Sequence, residues 1–354
     1  MEQNLLDKIK QSISNIDEKK MNIYFFVQDT KGNAKASLKY IYDMALSLKQ
    51  LGYQPTMLHE KPDYTPVTTW LGPEYGGLNH MCIEGGNLQI APEDFLVIPE
   101  IFGFVMDQVK NLPCGKIVLC QAYDHMLETL TPGSSWSQYG FLKCITTTEK
   151  NKEFISQTMR NVSIDVIEPT ISSEFIKQKY PPKPIVCVHT REQRDGINMI
   201  KQFYLKYPQY RWITFKDMRG LSQQEFAHSM NDAFLGVWID PTSSFGTFPL
   251  ECMKSGVPVV GQIPNLTPDW MTETNGVWVQ NPVQIVDIVA DFIQNWLEDN
   301  ILPEIYTEGE NTAETFSDIE KFNSKVEDLF TNLIQRRKMS FEEQINKIEE
   351  NVEN

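Results

Sequence analysis

A short stretch in the second half of the sequence combines two kinds of ligand-binding group. An apolar run at Leu235–Ile239 predicts a buried strand, followed by a loop and a short helix at 248–254. The first backbone N–H groups of a helix are free and lie at the positive end of its dipole, so such a loop binds phosphate. Glu251, on the same helix, would instead accept hydrogen bonds from ligand hydroxyls. A phosphate site beside a hydroxyl acceptor suits a nucleotide-sugar.

This stretch resembles the signature of the group 1 glycosyltransferases, a retaining family with the two-domain GT-B fold. Two positions depart from the family pattern: Ser243 replaces the first glutamate and Ser244 the following glycine. Weaker resemblance covers 21–297. The fold that the resemblance implies is α/β, with two Rossmann-like domains whose parallel sheets face a central cleft. The matching residues are Pro241, Phe245, Gly246, Leu250, Glu251, Met253, Gly256, Pro258, Val259 and Val260.

The resemblance also implies roles for residues of the predicted second domain. Glu251 would hold the ribose hydroxyls of a donor nucleoside, and Ser243 would stand beside the donor sugar. Arg191, after a predicted strand at 185–190, would bind the donor phosphates. The partner lysine of the family is missing, since Ile197 occupies its position, and Arg194 or Lys201 is the substitute. The remaining expected donor contacts are Ser244, Phe245, Gly246 and Thr247 at the sugar and diphosphate, and Gly220 and Leu221 at the nucleobase.

Two loops of the predicted first domain complete the expected site. Gly32 and Asn33 follow the first strand and would face the diphosphate, because glycine lets a backbone approach a ligand closely. Asp124 and His125 follow a strand at 116–120, where the family often has a histidine near the reacting centre. A structural role for His125 stays open, and His59 is a weaker rival. The predicted catalytic residues are Asp124, His125, Ser243 and Glu251.

Composition limits the other functional classes. The 354 residues carry a formal net charge of −15, which argues against affinity for nucleic-acid phosphates or anionic lipid. No apolar run reaches the length of about 18 residues that a membrane span needs, and the N-terminus lacks the order of a signal peptide, so a cytoplasmic location is expected. The six cysteines form no Cys-x-x-Cys pair, and no cluster has metal-ligand spacing.

The chain divides into five predicted parts. Residues 1–20 form a helical extension, 21–172 an acceptor-side Rossmann-like domain and 185–310 a nucleotide-sugar-binding Rossmann-like domain. A helix at 311–337 would cross back to the first domain, and 338–354 is an acidic tail, either a solvated end or a partner-binding helix. The Pro/Gly/Tyr-rich insertion at 62–92 is either the site of acceptor contacts or a passive surface excursion.

The leading hypothesis is a metal-independent retaining glycosyltransferase. Its donor would be a nucleotide-diphosphate sugar, with UDP or GDP the first candidates and no other cofactor. Its acceptor (a glycan, lipid or protein) and its oligomeric state stay open. One alternative is a sugar-nucleotide-binding protein with weak or no activity, and another is a phage-type nucleic-acid base glycosyltransferase, against which the acidic charge argues. An NAD-type enzyme is disfavoured because the first loop lacks Gly-x-Gly-x-x-Gly.

Overall fold

The structure, a computed structural model, describes residues 21–85, 88–177, 181–299 and 303–353. The helical extension predicted for 1–20 lies outside the described residues. Among the helices in the described ranges, none combines the length and the apolarity that crossing a bilayer requires. All six cysteines lie in these ranges as free thiols, and all except Cys82 are buried. The five buried cysteines are small residues of the core.

The first domain is a seven-stranded, all-parallel sheet in the order β3-β2-β1-β4-β5-β6-β7. Its central strands are continuous apolar runs because helices cover both faces. The strands are β1 (Asn22–Phe26), β2 (Gln54–His59), β3 (Asn79–Cys82), β4 (Phe95–Pro99), β5 (Gly115–Cys120), β6 (Lys143–Thr146) and β7 (Ser163–Val166). The helices are α1 (Ala36–Gln50), α2 (Gly103–Gln108), α3 (Tyr123–Thr129) and α4 (Glu149–Thr158).

The second domain is a five-stranded, all-parallel sheet in the order β12-β11-β10-β8-β9. Its strands are β8 (Ile185–Thr190), β9 (Thr214–Asp217), β10 (Leu235–Ile239), β11 (Val259–Gln262) and β12 (Val277–Val279). Its helices are α5 (Gln193–Lys206), α6 (Gln223–Asp232), α7 (Thr247–Lys254) and α8 (Ile285–Leu297). The strand order reverses between β1 and β4 in the first sheet and between β8 and β10 in the second. Ligands of such sheets bind beyond the strand ends at these reversals.

Two further helices, α9 (Pro303–Glu314) and α10 (Ile319–Glu353), end the chain. The sequence pattern predicts one helix at 311–337 and a separate tail. The structure differs, because Asp318 accepts from the Lys321 N–H at 3.0 Å and caps a new helix, which runs on to Glu353. The apolar face of α10 packs on the first domain, with the Phe322 ring 6.2 Å from that of Tyr40 on α1. This helix therefore joins the C-terminal end to the first domain.

The insertion at 62–92 is more structured than its composition suggests. Its residues 79–82 form β3, which pairs with β2 at the sheet edge. The backbone carbonyl of Trp70 accepts from the Gln223 N–H at the start of α6, at 2.9 Å. The insertion thus links the two domains through a backbone hydrogen bond. The sequence did not predict β3, because its four residues form no apolar run: three are exposed, and two of these, Asn79 and His80, are polar.

Candidate active site in the interdomain cleft

The carboxyl ends of both sheets open onto one cleft of about 630 Å³. The first domain contributes the loop after β1, the end of β4 and the start of α3. The second contributes the end of β8 and the loop between β10 and α7. Both strand-order reversals therefore face the same space, which is where an α/β protein binds its ligand.

A smaller cavity of about 150 Å³ adjoins this cleft. It is lined by α1 and Trp70 of the first domain and by the loop after β9 and the α7 helix of the second. Because some side chains line both cavities, the two spaces lie directly beside each other. The shared residues are Lys35, Ala36, Pro169, His189, Thr247 and Phe248.

The loop from 240 to 246 directs the start of α7 into the cleft. Gly246 has φ +75°, and a Cβ there would lie 2.9 Å from the Trp238 ring, so only glycine fits. The Phe245 carbonyl accepts from Trp270 Nε1 at 2.7 Å, which fixes the loop from behind. Ser243 and Ser244 line the cleft. The hydroxyl of Ser244 is buried and has no hydrogen-bond partner within the described residues, so it is available to a ligand.

A polar cluster spans the cleft between the domains. Arg191, just after β8, forms an ion pair with Asp124 of α3 and lies 3.7 Å from Asp240 Oδ1. The same guanidinium donates to His125 Nε2 at 2.9 Å. Arginine carries only donors, so Nε2 accepts, and in the neutral ring the proton sits on Nδ1. That nitrogen lies 3.9 Å from Glu100 Oε1. Three residues predicted from sequence, Arg191, Asp124 and His125, are thus brought together.

Glu100 is a site residue that the sequence analysis missed. It follows β4, lines the cleft and is only 3% exposed. Burial raises the pKa of Glu100 to about 8, although the Ala122 N–H donates to its carboxylate at 2.9 Å and opposes the shift. A carboxyl group that stays protonated at neutral pH can donate a hydrogen bond inside the cleft.

The smaller cavity holds the predicted nucleoside contacts. Glu251 lines it, as do Gly220 and Leu221 from the loop after β9. Burial raises the pKa of Glu251 to about 7, and the nearby Lys39 ammonium opposes this shift. Gly220 has φ +75°, which suits the tight turn before α6. A carboxyl group in a narrow, largely apolar cavity is placed to bind hydroxyl groups.

Three predicted ligand residues do not line either cavity. Gly32 and Asn33 shape the loop after β1, where Asn33 Nδ2 donates to the Thr30 carbonyl at 2.9 Å. Their neighbours Thr30 and Lys35 face the ligand space instead. Arg194 is exposed on the first turn of α5 and lines neither cavity.

The insertion at 62–92 and two histidines differ in how they lie relative to the two cavities. Of the described residues in the insertion at 62–92, Trp70 lines the smaller cavity and none lines the larger one. The role of this insertion in binding an acceptor stays a prediction. His59 is buried in a ring stack with Tyr64 and His80, away from both cavities. His189, at the end of β8, lines both cavities. Burial lowers the pKa of His189 to about 4, and the positive charge of Arg219 adds to this shift.

No group of three or more His, Cys, Asp or Glu side chains is placed to hold a metal ion in the part of the chain that the structure describes. The positive groups that face the cleft are instead the Arg191 guanidinium, the Lys35 ammonium and the N-terminus of α7. All three are suited to a phosphorylated ligand.

Comparisons with known proteins agree with this architecture. An α-1,6-glucosyltransferase from Actinobacillus pleuropneumoniae serotype 7 is 22% identical over 268 residues, which are 70% of this chain and 73% of that protein. No protein-family model matches the sequence. Sucrose-phosphate synthase from Thermosynechococcus elongatus gives a TM-score of 0.65 at 11% identity, over 90% of this chain and 100% of that one. HepE from Anabaena, solved in complex with UDP-glucose, also gives 0.65, at 12% identity over 88% and 100%.

At these identities the structural likeness concerns the fold. Both solved neighbours are matched over their full length, so the likeness includes the two domains together. The expected α/β architecture with two facing parallel sheets is confirmed. The chain therefore has the two-domain GT-B fold of these glycosyltransferases.

Proposed function

We propose that this protein transfers a sugar from a nucleotide-diphosphate sugar to an acceptor hydroxyl, with retention of the anomeric configuration. The observation that carries the proposal is the pair of joined cavities. The smaller has Glu251 for ribose hydroxyls, and the larger has Arg191 and the start of α7 for phosphate charge. A nucleoside and a glycosyl diphosphate would occupy the two spaces in one continuous arrangement.

In the transfer, the bond between the anomeric carbon and the phosphate oxygen breaks, and its electron pair leaves with the nucleoside diphosphate. The acceptor oxygen bonds the anomeric carbon, and its proton passes to the departing phosphate oxygen. The negative charge that develops on the leaving group needs fixed positive groups nearby. Arg191 and the backbone N–H groups at the start of α7 would supply them, once the phosphate displaces Asp124 from the guanidinium.

The sugar would lie between the 243–246 loop and His125. Ser243 and Ser244 offer hydroxyl groups to the ring, and uncharged partners there would accept a range of sugar hydroxyl patterns. His125 lies at the opposite wall, with the proton of its neutral ring directed toward Glu100. The 3.9 Å between Nδ1 and Glu100 Oε1 is longer than a hydrogen bond, so the contact that would select the tautomer is the Arg191 donor at Nε2.

UDP-sugars are the first donors to test. HepE was solved with UDP-glucose, and the curated relative carries the name of a glucosyltransferase. These names support a UDP-hexose donor for the present chain. The acceptor would approach the larger cavity from the first-domain side, where Phe102 and Phe104 line the wall.

The proposal is tested by thermal shift and isothermal titration with UDP-, GDP- and ADP-sugars, together with an assay for release of the nucleoside diphosphate. One donor class is expected to raise the melting temperature and to be consumed when an acceptor is supplied. Glu251→Gln should weaken the binding of UDP and of uridine by the same factor, about tenfold, because the lost hydrogen bonds are to the ribose, which both ligands contain. Glu128→Gln, an exposed change on α3, is the matched control. Absence of binding by every sugar nucleotide would overturn the proposal.

A second candidate is a sugar-nucleotide-binding protein without turnover. The observations that favour it are Ser243 in place of a carboxylate and the ion pair of Arg191 with Asp124, which competes with a phosphate. For this candidate, titration would detect donor binding, whereas no nucleoside diphosphate would be released with any acceptor from a glycan, lipid or peptide panel. Release above the rate of the Arg191→Ala variant would exclude it.

A further inference from the structure

The second domain lacks the lysine that the family pattern places on its first helix. Position 197 is an isoleucine, 42% exposed on α5, and it lines neither cavity. Arg194, the expected substitute, also lies outside both cavities. A nucleoside diphosphate carries two to three negative charges. On the second domain Arg191 lines the larger cavity, and Arg219, which is paired with Asp217, lines the smaller one. Neither arginine lines both cavities, so a cation at their junction would come from the other side of the cleft.

Lys35 lies where the two cavities meet. It lines both of them, at the residue that precedes the first turn of α1. A ligand with its nucleoside in one cavity and its sugar in the other must place its diphosphate at this junction. Of the six residues that line both cavities, Lys35 is the one with a permanent positive charge, because the low pKa of His189 keeps that ring neutral.

The three lysines around the loop after β1 differ in their partners. Lys31 pairs with Asp29 at 2.7 Å and with Asp63 at 3.3 Å. Lys39 pairs with Asp43 at 2.6 Å. Lys35 instead donates to the neutral Gln28 Oε1, at 3.2 Å, and its side chain is exposed. Its ammonium group can turn to a phosphate without breaking an ion pair.

The backbone beside Lys35 adds to the positive potential. Lys35 begins α1 in an extended conformation and provides no side-chain cap, so the N–H groups of the first turn are not capped by it. Ala36 and Ser37, in that turn, line the larger cavity. A phosphate at the junction would meet these N–H groups together with the ammonium group.

We propose that Lys35 is the second diphosphate-binding cation of this protein, supplied by the first domain in place of the missing lysine of the second. The inference rests on the proposed function. It has a structural consequence: a bound diphosphate would lie between Lys35 on one domain and Arg191 on the other. The phosphates of the donor would then contact both domains, rather than only the second one, and would hold the two domains together.

The test is isothermal titration of UDP and of uridine against the full chain and three variants. Lys35→Met removes the charge and keeps the aliphatic stem; because the side chain is exposed, the fold should be retained. UDP binding is expected to weaken about tenfold or more, the loss typical of a charge-assisted contact, and uridine binding to change less than about twofold. Lys35→Arg should keep UDP affinity within about threefold, since it preserves the charge. Lys31→Met, in the same loop, should bind UDP as the wild type does.

The outcomes separate this inference from the function on which it rests. UDP affinity unchanged in Lys35→Met, or an equal loss of UDP and uridine affinity, would overturn the role of Lys35 while leaving the donor site intact. If the wild-type chain bound neither UDP, GDP nor ADP, the proposed function would fail and the inference with it. A loss of UDP affinity in Lys31→Met equal to that in Lys35→Met would show a general charge effect and would also overturn the inference.

Discussion

The buried carboxyl group of Glu100 predicts an unusual pH dependence of stability. Burial raises its folded-state pKa to about 8, against an ordinary value of 4.5. The folded protein therefore holds this proton over a pH range in which the unfolded chain has lost it. The stability that the protonated Glu100 contributes is fully present below its pKa in the unfolded chain and is lost as the pH rises through its pKa in the folded protein. Replacement by glutamine should remove this loss.

The size of the effect follows from the two pKa values. Each unit of pKa difference corresponds to about 1.4 kcal/mol, so between pH 5 and pH 8.5 the group destabilises the wild type by about 4 kcal/mol. Glu100→Gln keeps an oxygen that can accept from the Ala122 N–H, so the local geometry should persist. The difference in free energy of unfolding, variant minus wild type, is expected to rise by about 4 kcal/mol over this range.

Urea unfolding at pH 5, 7 and 8.5 measures this difference, because groups other than Glu100 cancel between variant and wild type. Glu128→Gln, at an exposed position on α3, should show no pH-dependent difference. A difference between Glu100→Gln and wild type that stays constant from pH 5 to pH 8.5 would refute the reasoning, since it would mean that Glu100 ionises normally in the folded protein.

Two further predictions concern the elements that position the site. Gly246→Ala should destabilise the protein by about 2–4 kcal/mol and weaken donor binding, because the new methyl group adds left-handed backbone strain and a close contact with the Trp238 ring. Gly133 also has a positive φ, +83°, but open space around it, so Gly133→Ala should cost only the backbone strain of about 1–2 kcal/mol. Phe330→Ala should lower the free energy of unfolding by about 3–5 kcal/mol, since the ring is fully buried where α10 packs on the first domain. Asn332 is exposed on the same helix, so Asn332→Ala should change that free energy by less than about 0.5 kcal/mol. Urea denaturation measures all four; equal losses within either pair would contradict the structural assignment.

Local patterns predicted much of the framework. The apolar run at Leu235–Ile239 is observed as β10 with the same bounds, and the short helix predicted at 248–254 is observed as α7, which begins one residue earlier. Gly246 and Arg191 line the cleft because strand-to-loop transitions in parallel sheets occur at the same edge. Such features depend on short-range periodicity, which a single sequence displays.

The residues that were missed depend on long-range order. Glu100 reaches the cleft because β4 lies beside β1, an adjacency that no local pattern encodes. Lys35 faces the ligand space while Gly32 does not, which depends on how the loop after β1 folds against Thr65. The break before α10 depends on a single cap at Asp318 inside a continuous apolar stripe. The position of Glu100, the orientation of Lys35 and the break before α10 are thus set by tertiary packing or by a single capping contact.

The central claim is that a sugar nucleotide lies across the two joined cavities, with its diphosphate at their junction. A crystal structure of the chain with UDP-glucose tests this directly. In that structure the ribose hydroxyls are expected to contact Glu251, the diphosphate to lie between Arg191 and Lys35, and the hexose to contact residues 243–246. Nucleotide bound elsewhere on the protein, or a junction filled only by solvent while the nucleotide is bound, would contradict it.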